Sequence, residues 1–428
     1  MYKIVWEVFD YGKRYGIKNL FFKILEQIFT ERVPSEPSPE PPISNVISDV
    51  FKQRFPNIEP LPICSYSDSS AQINLVTDSL LDDSFYGGVA TAIIFAILLA
   101  NSQDKKLRII TRHQNGGKDN FKALLDRENL RLTQSVEFVF CDLNDNNKFI
   151  DASNEDLFIT TSWWTTASVK KSVPHNKIIY ILQEDERMFY PLGDEHLLCS
   201  ETIASPEINL LINTKLLYTH LINDGFENIL TNGLYFEPSF NKSLYIKREN
   251  DIQKTKQRLF FYARPNHARN LFFRGMEVLD KALQLGIIDL ELWEIYFLGT
   301  TSDEIQFSNG YIPKTLPNLA WKDYVEFLKT IDLGLSLMYT PHPSYPPLDL
   351  STTGSVVVTN KFKNKNSLEN YSKNILVSDL DVQSLVSSLE KGIALSLNEE
   401  QRQHNYINNN IKSDWNHSFE SAIKKYQS

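Results

Sequence analysis

The sequence predicts an α/β protein built from two Rossmann-like domains facing across a cleft, with an N-terminal helical arm and a C-terminal helix. Three observations predict it. Short β-branched and aromatic runs alternate with helical stretches. The alternation stops at a charged, apolar-poor segment and then restarts. A chain of 428 residues is also too long for one ordinary core. Hydrophobic residues at 42% and charged residues at 23% are usual for a soluble globular chain, and the 26 Phe, 19 Tyr and 6 Trp suit large cores and stacking surfaces. A net charge of -9 argues against a general nucleic-acid binder, which would show a basic face. Cys64, Cys141 and Cys199 are scattered without a CxxC, so neither a disulfide framework nor a zinc site is expected, and a reducing cytoplasm fits best.

Residues 1–44 are expected to be an amphipathic arm and a spacer. Val5, Trp6, Phe9, Leu20, Phe21, Phe22, Ile24, Leu25 and Ile28 stand against Lys3, Lys13, Arg14, Lys18 and Lys23. That pattern suits an arm packed on its own chain or a partner, a second copy included. It also permits peripheral contact of residues 1–31 with a membrane surface. "RVPSEPSPEPPI" (32–43) is too rich in proline for helix or central strand. No apolar run reaches the length of a bilayer, and "VATAIIFAILLANS" (89–102) has the length of a core helix. Acids interrupt the opening residues where a signal peptide would be apolar.

The first Rossmann-like domain is expected over 45–250. Its strands read as "LRIIT" (107–111), "VEFVFC" (136–141), "DLFITT" (156–161) and "KIIYILQ" (177–183), with helices in "GGVATAIIFAILLANS" and "DNFKALLDRENL". "CDLNDNNKFIDASNED" (141–156) reads as a solvated acidic loop, and "NKSLYIKRENDIQKTKQ" (241–257) as the connection between domains. The second domain, over 251–405, begins with the strand "RLFFYAR" (258–264). The helix "NLFFRGMEVLDKALQLG", the strand "LELWEIYFLG", the helix "WKDYVEFLKT" and the strands "LGLSLMY" and "SVVVTN" follow. In 406–428, Trp415, Phe419, Ile423 and Tyr426 recur at helical spacing, and this helix is expected to return to the first domain.

Ligands of open parallel sheets bind beyond the carboxyl ends of strands, so strand-end loops carry the candidate sites. Gly87 and Gly88 open the apolar helix and let backbone approach a sugar or anion, unless they serve packing alone. Arg264, His267 and Arg269 surround a Pro-containing turn, and a planar guanidinium suits a diphosphate. The other reading of that loop is a solvated basic turn. In "LMYTPHPSYPPLDLSTTG" a strand ends at prolines 341, 343, 346 and 347. There the turn's backbone N–H groups are expected to meet phosphate, while Tyr345 and Asp349 reach a base or ribose. In the first domain, Trp163 and Trp164 offer indole faces for a sugar or are core residues. Gln183, Glu184 and Asp185 are placed to face the cleft, a carboxylate there orienting an acceptor hydroxyl or balancing Arg187, and His113 is a further acceptor-side contact. No metal-binding acidic motif is found. The absence of GxGxxG argues against a dinucleotide oxidoreductase.

The order of "FYGGVATAIIFAILLA", "DLFITTSWWTTASV", "YILQEDERMFYP", "FYARPNHARNLFFRGMEVL" and "LMYTPHPSYPPLDLSTTGSVVVTN" resembles glycosyltransferases of the GT-B fold, in the family 4 style and most closely the WsaF type. These stretches cover most of 80–360. The resemblance implies transfer of L-rhamnose from dTDP-rhamnose to a rhamnan-type or lipid-linked surface glycan. It also implies retention of anomeric configuration and neither metal nor cofactor. The implied location is cytoplasmic or peripheral at the inner face of the membrane. Arg264 then corresponds to the arginine on the donor diphosphate and Tyr345 to the donor-site tyrosine. Asp349 stands where the family has a nucleotide-binding Glu, one methylene longer. Asn318 falls where the family has its diphosphate lysine, with Lys314 and Lys322 nearby. The implied catalytic pair is Arg264 and Asn318, and the implied donor site is Arg264, His342, Ser344, Tyr345, Asp349 and Thr352. A catalytically weak or non-catalytic glycan- or partner-binding module is the alternative, since an Asn supplies no charge to a departing diphosphate.

Overall fold

The computed structural model describes residues 46–65, 70–81, 87–143, 149–245, 255–299, 305–317 and 319–427. The amphipathic arm, the Pro-rich spacer, most of the expected connection at 241–257 and Asn318 lie outside them. Residues 1–56 and 57–428 are separate compact units, and the described part of the first carries one helix, Ile47–Arg54.

The second unit holds two parallel sheets. β1 (Ile63–Ser65) and β5 (Ile150–Ala152) pair as a small parallel ribbon at their side. The first sheet contains β2 (Gln72–Thr77), β3 (Lys106–Thr111), β4 (Val136–Phe140), β6 (Leu157–Thr160), β7 (Ile178–Leu182), β8 (Asn209–Asn213) and β9 (Gly233–Phe236), in the order β4-β3-β2-β6-β7-β8-β9. The second contains β10 (Gln257–Tyr262), β11 (Trp293–Leu298), β12 (Lys314–Leu316), β13 (Leu333–Leu335), β14 (Val356–Asn360) and β15 (Ile375–Ser378), in the order β12-β11-β10-β13-β14-β15. Strand order therefore reverses between β2 and β6 in one sheet and between β10 and β13 in the other. Those are the crevices where loops of such sheets diverge and leave room for ligand.

The first core explains the helix α1 (Gly88–Ser102), in which every residue from Ala90 to Ala100 is buried. A helix apolar all round must be covered on both sides. The sheet covers one side and α2 (Trp415–Tyr426) the other, with the Phe419 ring 5.1 Å from Phe95 and 4.7 Å from Phe236. The chain reaches α2 by crossing back from the second sheet, where Phe240 N–H donates to the Lys412 carbonyl. The second sheet is covered on one face by the helices Phe272–Gln284 and Val382–Leu397, and on the other by Trp321–Leu328 and Tyr345–Thr352.

The acidic stretch 141–156 departs from its expectation as loop throughout. Ile150 and Ala152 are buried and Asp151 is exposed, an alternation that makes β5 a half-covered strand. Phe419→Ala should lower the unfolding free energy by about 3–5 kcal/mol. The shift in the denaturant midpoint reads this out, and a shift worth less than about 1 kcal/mol would mean that α2 contributes little to the core.

Candidate functional site at the facing strand ends

β10 ends at Tyr262 and delivers Ala263 and Arg264 to the carboxyl edge. Gly299, just after β11, makes this approach feasible: its φ is 141°, and a Cβ there would lie 1.8 Å from the Ala263 carbonyl oxygen. The half-buried Arg264 guanidinium donates through Nη1 to the Tyr262 hydroxyl at 3.3 Å and lies 2.5 Å through Nη2 from His267 Nε2. Burial, with the charges of Arg264 and Arg269, lowers the His267 pKa, so the ring is neutral at pH 7 and accepts. Among the described residues no carboxylate pairs with Arg264. Arg269 is committed elsewhere: it donates to Glu184 of the first sheet and lies 4.4 Å over the Phe189 ring. Of the three basic groups expected on a phosphate, one cation is uncommitted.

The proline corner is bound differently from expectation. Ser344 precedes the helix Tyr345–Thr352 at φ 70°, a left-handed conformation costly for serine. The prolines remove N–H groups, the Ser344 N–H donates to His342 Nδ1 at 2.9 Å, and the His342 N–H donates to Thr340 Oγ1 at 3.3 Å. Little backbone donor capacity is left for a phosphate. His342 is fixed as the Nε2–H tautomer, and that buried N–H has no partner. Burial, with the charges of Lys365 and Arg269, pushes its pKa down to about 3.

Tyr345 is turned toward the other sheet. Thr91 donates to the Gly87 carbonyl, so the Tyr345 hydroxyl donates to Thr91 Oγ1 at 3.0 Å and accepts from Asn213 Nδ2 at 3.1 Å. A hydroxyl so engaged is a bolt across the cleft, not a free contact for a base. Asp349 is buried beside Tyr324, whose hydroxyl donates to Oδ2 at 3.3 Å, and beside Tyr245. Burial pushes its carboxyl up to about 7, although both tyrosines and Arg127 of the first domain oppose the shift. Its expected reach to a ribose is replaced by enclosure among tyrosines. The Thr352 hydroxyl is spent on the Asp349 carbonyl at 2.7 Å, and Lys314 is held by Glu294 and Tyr296.

On the facing edge, Gly87 caps α1 at φ 60° with no atom within 4 Å of where a Cβ would stand, so it borders open space. Gly88 is small for another reason, since a Cβ would come within 3.0 Å of Gln183 Cγ. Gln183 accepts from Asn213 at 2.8 Å and reaches the Gly88 carbonyl at 3.4 Å. Of the two roles left open for the carboxylates after β7, balancing Arg187 falls to Asp185. Glu184 faces the second sheet and accepts from Arg269 and, at 2.8 Å, from Thr340. Asp185 balances Arg187: burial works against it, but hydrogen bonds from His220 and Arg187 hold its carboxyl at about 2.

Ser162 and Thr165 form a capping box that starts the helix Trp163–Lys170 immediately after β6. Trp163 is thereby turned inward, its Nε1–H donating to the Tyr190 hydroxyl at 3.0 Å, and it presents no open face to a sugar. Trp164 remains half-buried, with Nε1–H on the Asp78 carboxylate at 2.9 Å, and His113 Nε2 lies 3.5 Å from the same group. Sequence reasoning missed Asp78, Thr91, Asn213, Thr340, Lys365, Tyr245 and Tyr324. Thr91 in an otherwise apolar helix and Asn213 closing an apolar strand were the available signals. Among the described residues no three His, Cys, Asp or Glu side chains group to hold a metal ion, and no helix is long and apolar enough to cross a membrane.

Asp349 gives a prediction with a definite sign. Its folded value of about 7 exceeds the ~3.9 of an unfolded chain, so its contribution to stability is complete in acid and lost as pH rises from about 4 to about 7. Asp349→Asn should therefore gain on the wild type from pH 5 to pH 8, by roughly 3 kcal/mol. Melting temperatures of the two proteins across that range test it, and a difference that ignores pH contradicts it.

Comparison with known proteins agrees with this architecture. Residues 72–215 match the family model "WsaF, N-terminal domain" and residues 257–390 match "WsaF, C-terminal domain". The O-antigen biosynthesis protein RfbC of Myxococcus xanthus is 27% identical over 241 residues, which is 56% of this chain and only 18% of that protein. Among solved structures, Anabaena Alr3699/HepE in complex with UDP and glucose superposes with a TM-score of 0.57 at 15% identity, over 84% of this chain and 100% of that one. A glycosyltransferase from Rickettsia africae gives a TM-score of 0.54 at 13% identity, over 84% of this chain and 98% of that one. With one WsaF model on each sheet and the two-sheet architecture of those structures, the chain belongs to the WsaF family of GT-B glycosyltransferases.

Proposed function

We propose that the chain transfers a hexose from a nucleoside-diphosphate sugar, dTDP-L-rhamnose, to a bacterial surface glycan or its lipid-linked precursor, in the cytoplasm or at the inner membrane face. The observation that carries this reading is Arg264, a guanidinium at the carboxyl edge of β10 that has no carboxylate partner among the described residues. The rhamnose donor rests on the WsaF resemblance. The surface-glycan acceptor rests on the relative named for O-antigen biosynthesis, of which this chain spans under a fifth.

The chemistry asks little covalent work of the protein. The bond from the anomeric carbon to the diphosphate breaks, an acceptor oxygen takes its place, and the acceptor's proton leaves with the diphosphate. Arg264 stabilises the negative charge that grows on the leaving group. His342 Nε2–H is a neutral donor suited to a sugar hydroxyl. The open backbone at Gly87 leaves room for the acceptor beside Gln183. Retention of configuration and independence of metal follow from the same resemblance. A non-catalytic glycan-binding module is favoured instead by the enclosure of Asp349 and the engagement of Tyr345.

Incubation with a panel of sugar nucleotides should release nucleoside diphosphate, fastest from dTDP-L-rhamnose, with unchanged rate in chelator. Glycan binding without any release would favour the second reading. Calorimetry should show Arg264→Ala weakening dTDP affinity by tenfold or more, on the order of a lost charge-assisted contact. No binding by the wild type, or equal binding by the variant, would defeat the assignment. Asn318→Lys should raise the release rate at least about tenfold, because it adds a cation where the family carries one.

A further inference from the structure

Lys365 is 0% exposed, although nothing in "KFKNKNS" distinguishes it from its neighbours. It lies in the turn after β14, which is closed by reciprocal backbone hydrogen bonds between Phe362 and Lys365 at 2.8 and 3.1 Å. The turn is seated on the first sheet's side of the molecule. Lys363 pairs with Asp224 at 3.3 Å, and Asn364 donates to the Leu216 carbonyl at 2.9 Å. Its lysine instead runs beneath the proline corner of the second sheet, where the ammonium donates to the carbonyls of His342 at 3.2 Å and Met338 at 3.4 Å.

A buried ammonium is costly to desolvate and persists only where charge and acceptors compensate it. The ionisable groups around it are Glu184 from the end of β7, Arg269 from the segment after β10, and His342 itself. Glu184 is the carboxylate that favours the charged form. Two carbonyls on either side of a Pro-rich turn are thus pinned from below by one cation, whose counter-charge comes from the opposite sheet.

We infer that Lys365 is a positioning residue for donor binding: by holding the carbonyls of Met338 and His342 it fixes the corner that presents His342 Nε2–H, and it ties that corner to the first sheet through Glu184. The inference rests on the donor reading of this edge. Burial draws the Lys365 pKa down to about 7, so the pin depends on an ionised Glu184 beside it.

The test is calorimetric binding of dTDP-L-rhamnose and UDP-glucose by the full chain and three variants. Lys365→Met should weaken the better probe by about tenfold or more, since two corner carbonyls lose a charged donor. Lys365→Arg, which keeps a cation, should recover part of that loss. Glu184→Gln makes the ammonium easier to deprotonate, so its loss relative to wild type should be greatest near pH 7 and shrink toward about pH 8.5, where Lys365 is neutral in both proteins. Asp349 titrates alike in both proteins and cancels from that ratio. Binding of neither probe by the wild type overturns the donor reading and this inference with it. Wild-type binding with unchanged affinity in Lys365→Met overturns this inference alone. Where Lys365→Met does not fold, a Glu184→Gln loss that is absent or independent of pH does the same.

Discussion

Glu184 leaves the carboxyl end of β7 and is removed from water, and a carboxylate so placed is tolerated only if opposite charge and donors reach it. All of that compensation comes from the second sheet: the Arg269 guanidinium, the Thr340 hydroxyl and, at longer range, the Lys365 ammonium. The two sheets therefore share a desolvated ion cluster, and neither half can satisfy its own charges alone. The apposition of the strand ends follows from this constraint. So does the arrest of the proline corner, because Thr340 and the carbonyls over Lys365 belong to that corner.

With Glu184 satisfied, the remaining polar groups fall into order. Asn213 joins Gln183 to Tyr345, and Tyr345 joins Thr91, whose own proton is on the Gly87 carbonyl. A continuous row of hydrogen bonds thus runs from the glycine-lined helix entry of one sheet to the helix after β13 in the other. The row consumes the donors that a ligand would otherwise meet. Arg264 stands outside it with no carboxylate partner among the described residues, and so does His342 Nε2–H, which is buried and unpartnered. On the donor reading, a molecule entering here meets the Arg264 cation, which suits a diphosphate.

The architecture was legible because parallel strands buried on both faces are written as uninterrupted apolar runs, as in "KIIYILQ", and because an all-apolar α1 demands cover on two sides. The strands passed over, β2, β8, β9 and β15 among them, sit beside loops or helices whose apolar residues blur their ends. Strand-end placement also found Arg264, Gln183, Glu184 and the proline corner, since position in a parallel sheet is enough to nominate a loop. Partners were not legible. Whether Trp163 turns inward depends on Tyr190, twenty-seven residues on. Whether Tyr345 faces a nucleotide or a threonine depends on a residue 254 positions away. Lys365 was invisible because burial of a lysine is decided by the neighbours that cover it, and its own sequence is that of an exposed polar turn.

Two departures from the family's residues bear on one another through charge. By the resemblance, Asn318 stands where a diphosphate lysine is expected, and an asparagine supplies no charge to a departing diphosphate. Asp349, shorter by a methylene than the family's Glu, sits enclosed with a carboxyl whose pKa is pushed up to about 7, so near neutral pH much of it is uncharged. Tyr324, which donates to Asp349, lies within electrostatic reach of Tyr262, which accepts from Arg264. An ionised carboxylate there would oppose the binding of an anion beside Arg264, and a protonated one does not. On the donor reading, the loss of a positive charge at position 318 is accompanied by a muted negative charge at Asp349. Anion binding near Arg264 should in turn raise the Asp349 pKa further, because a second negative charge nearby disfavours its ionisation.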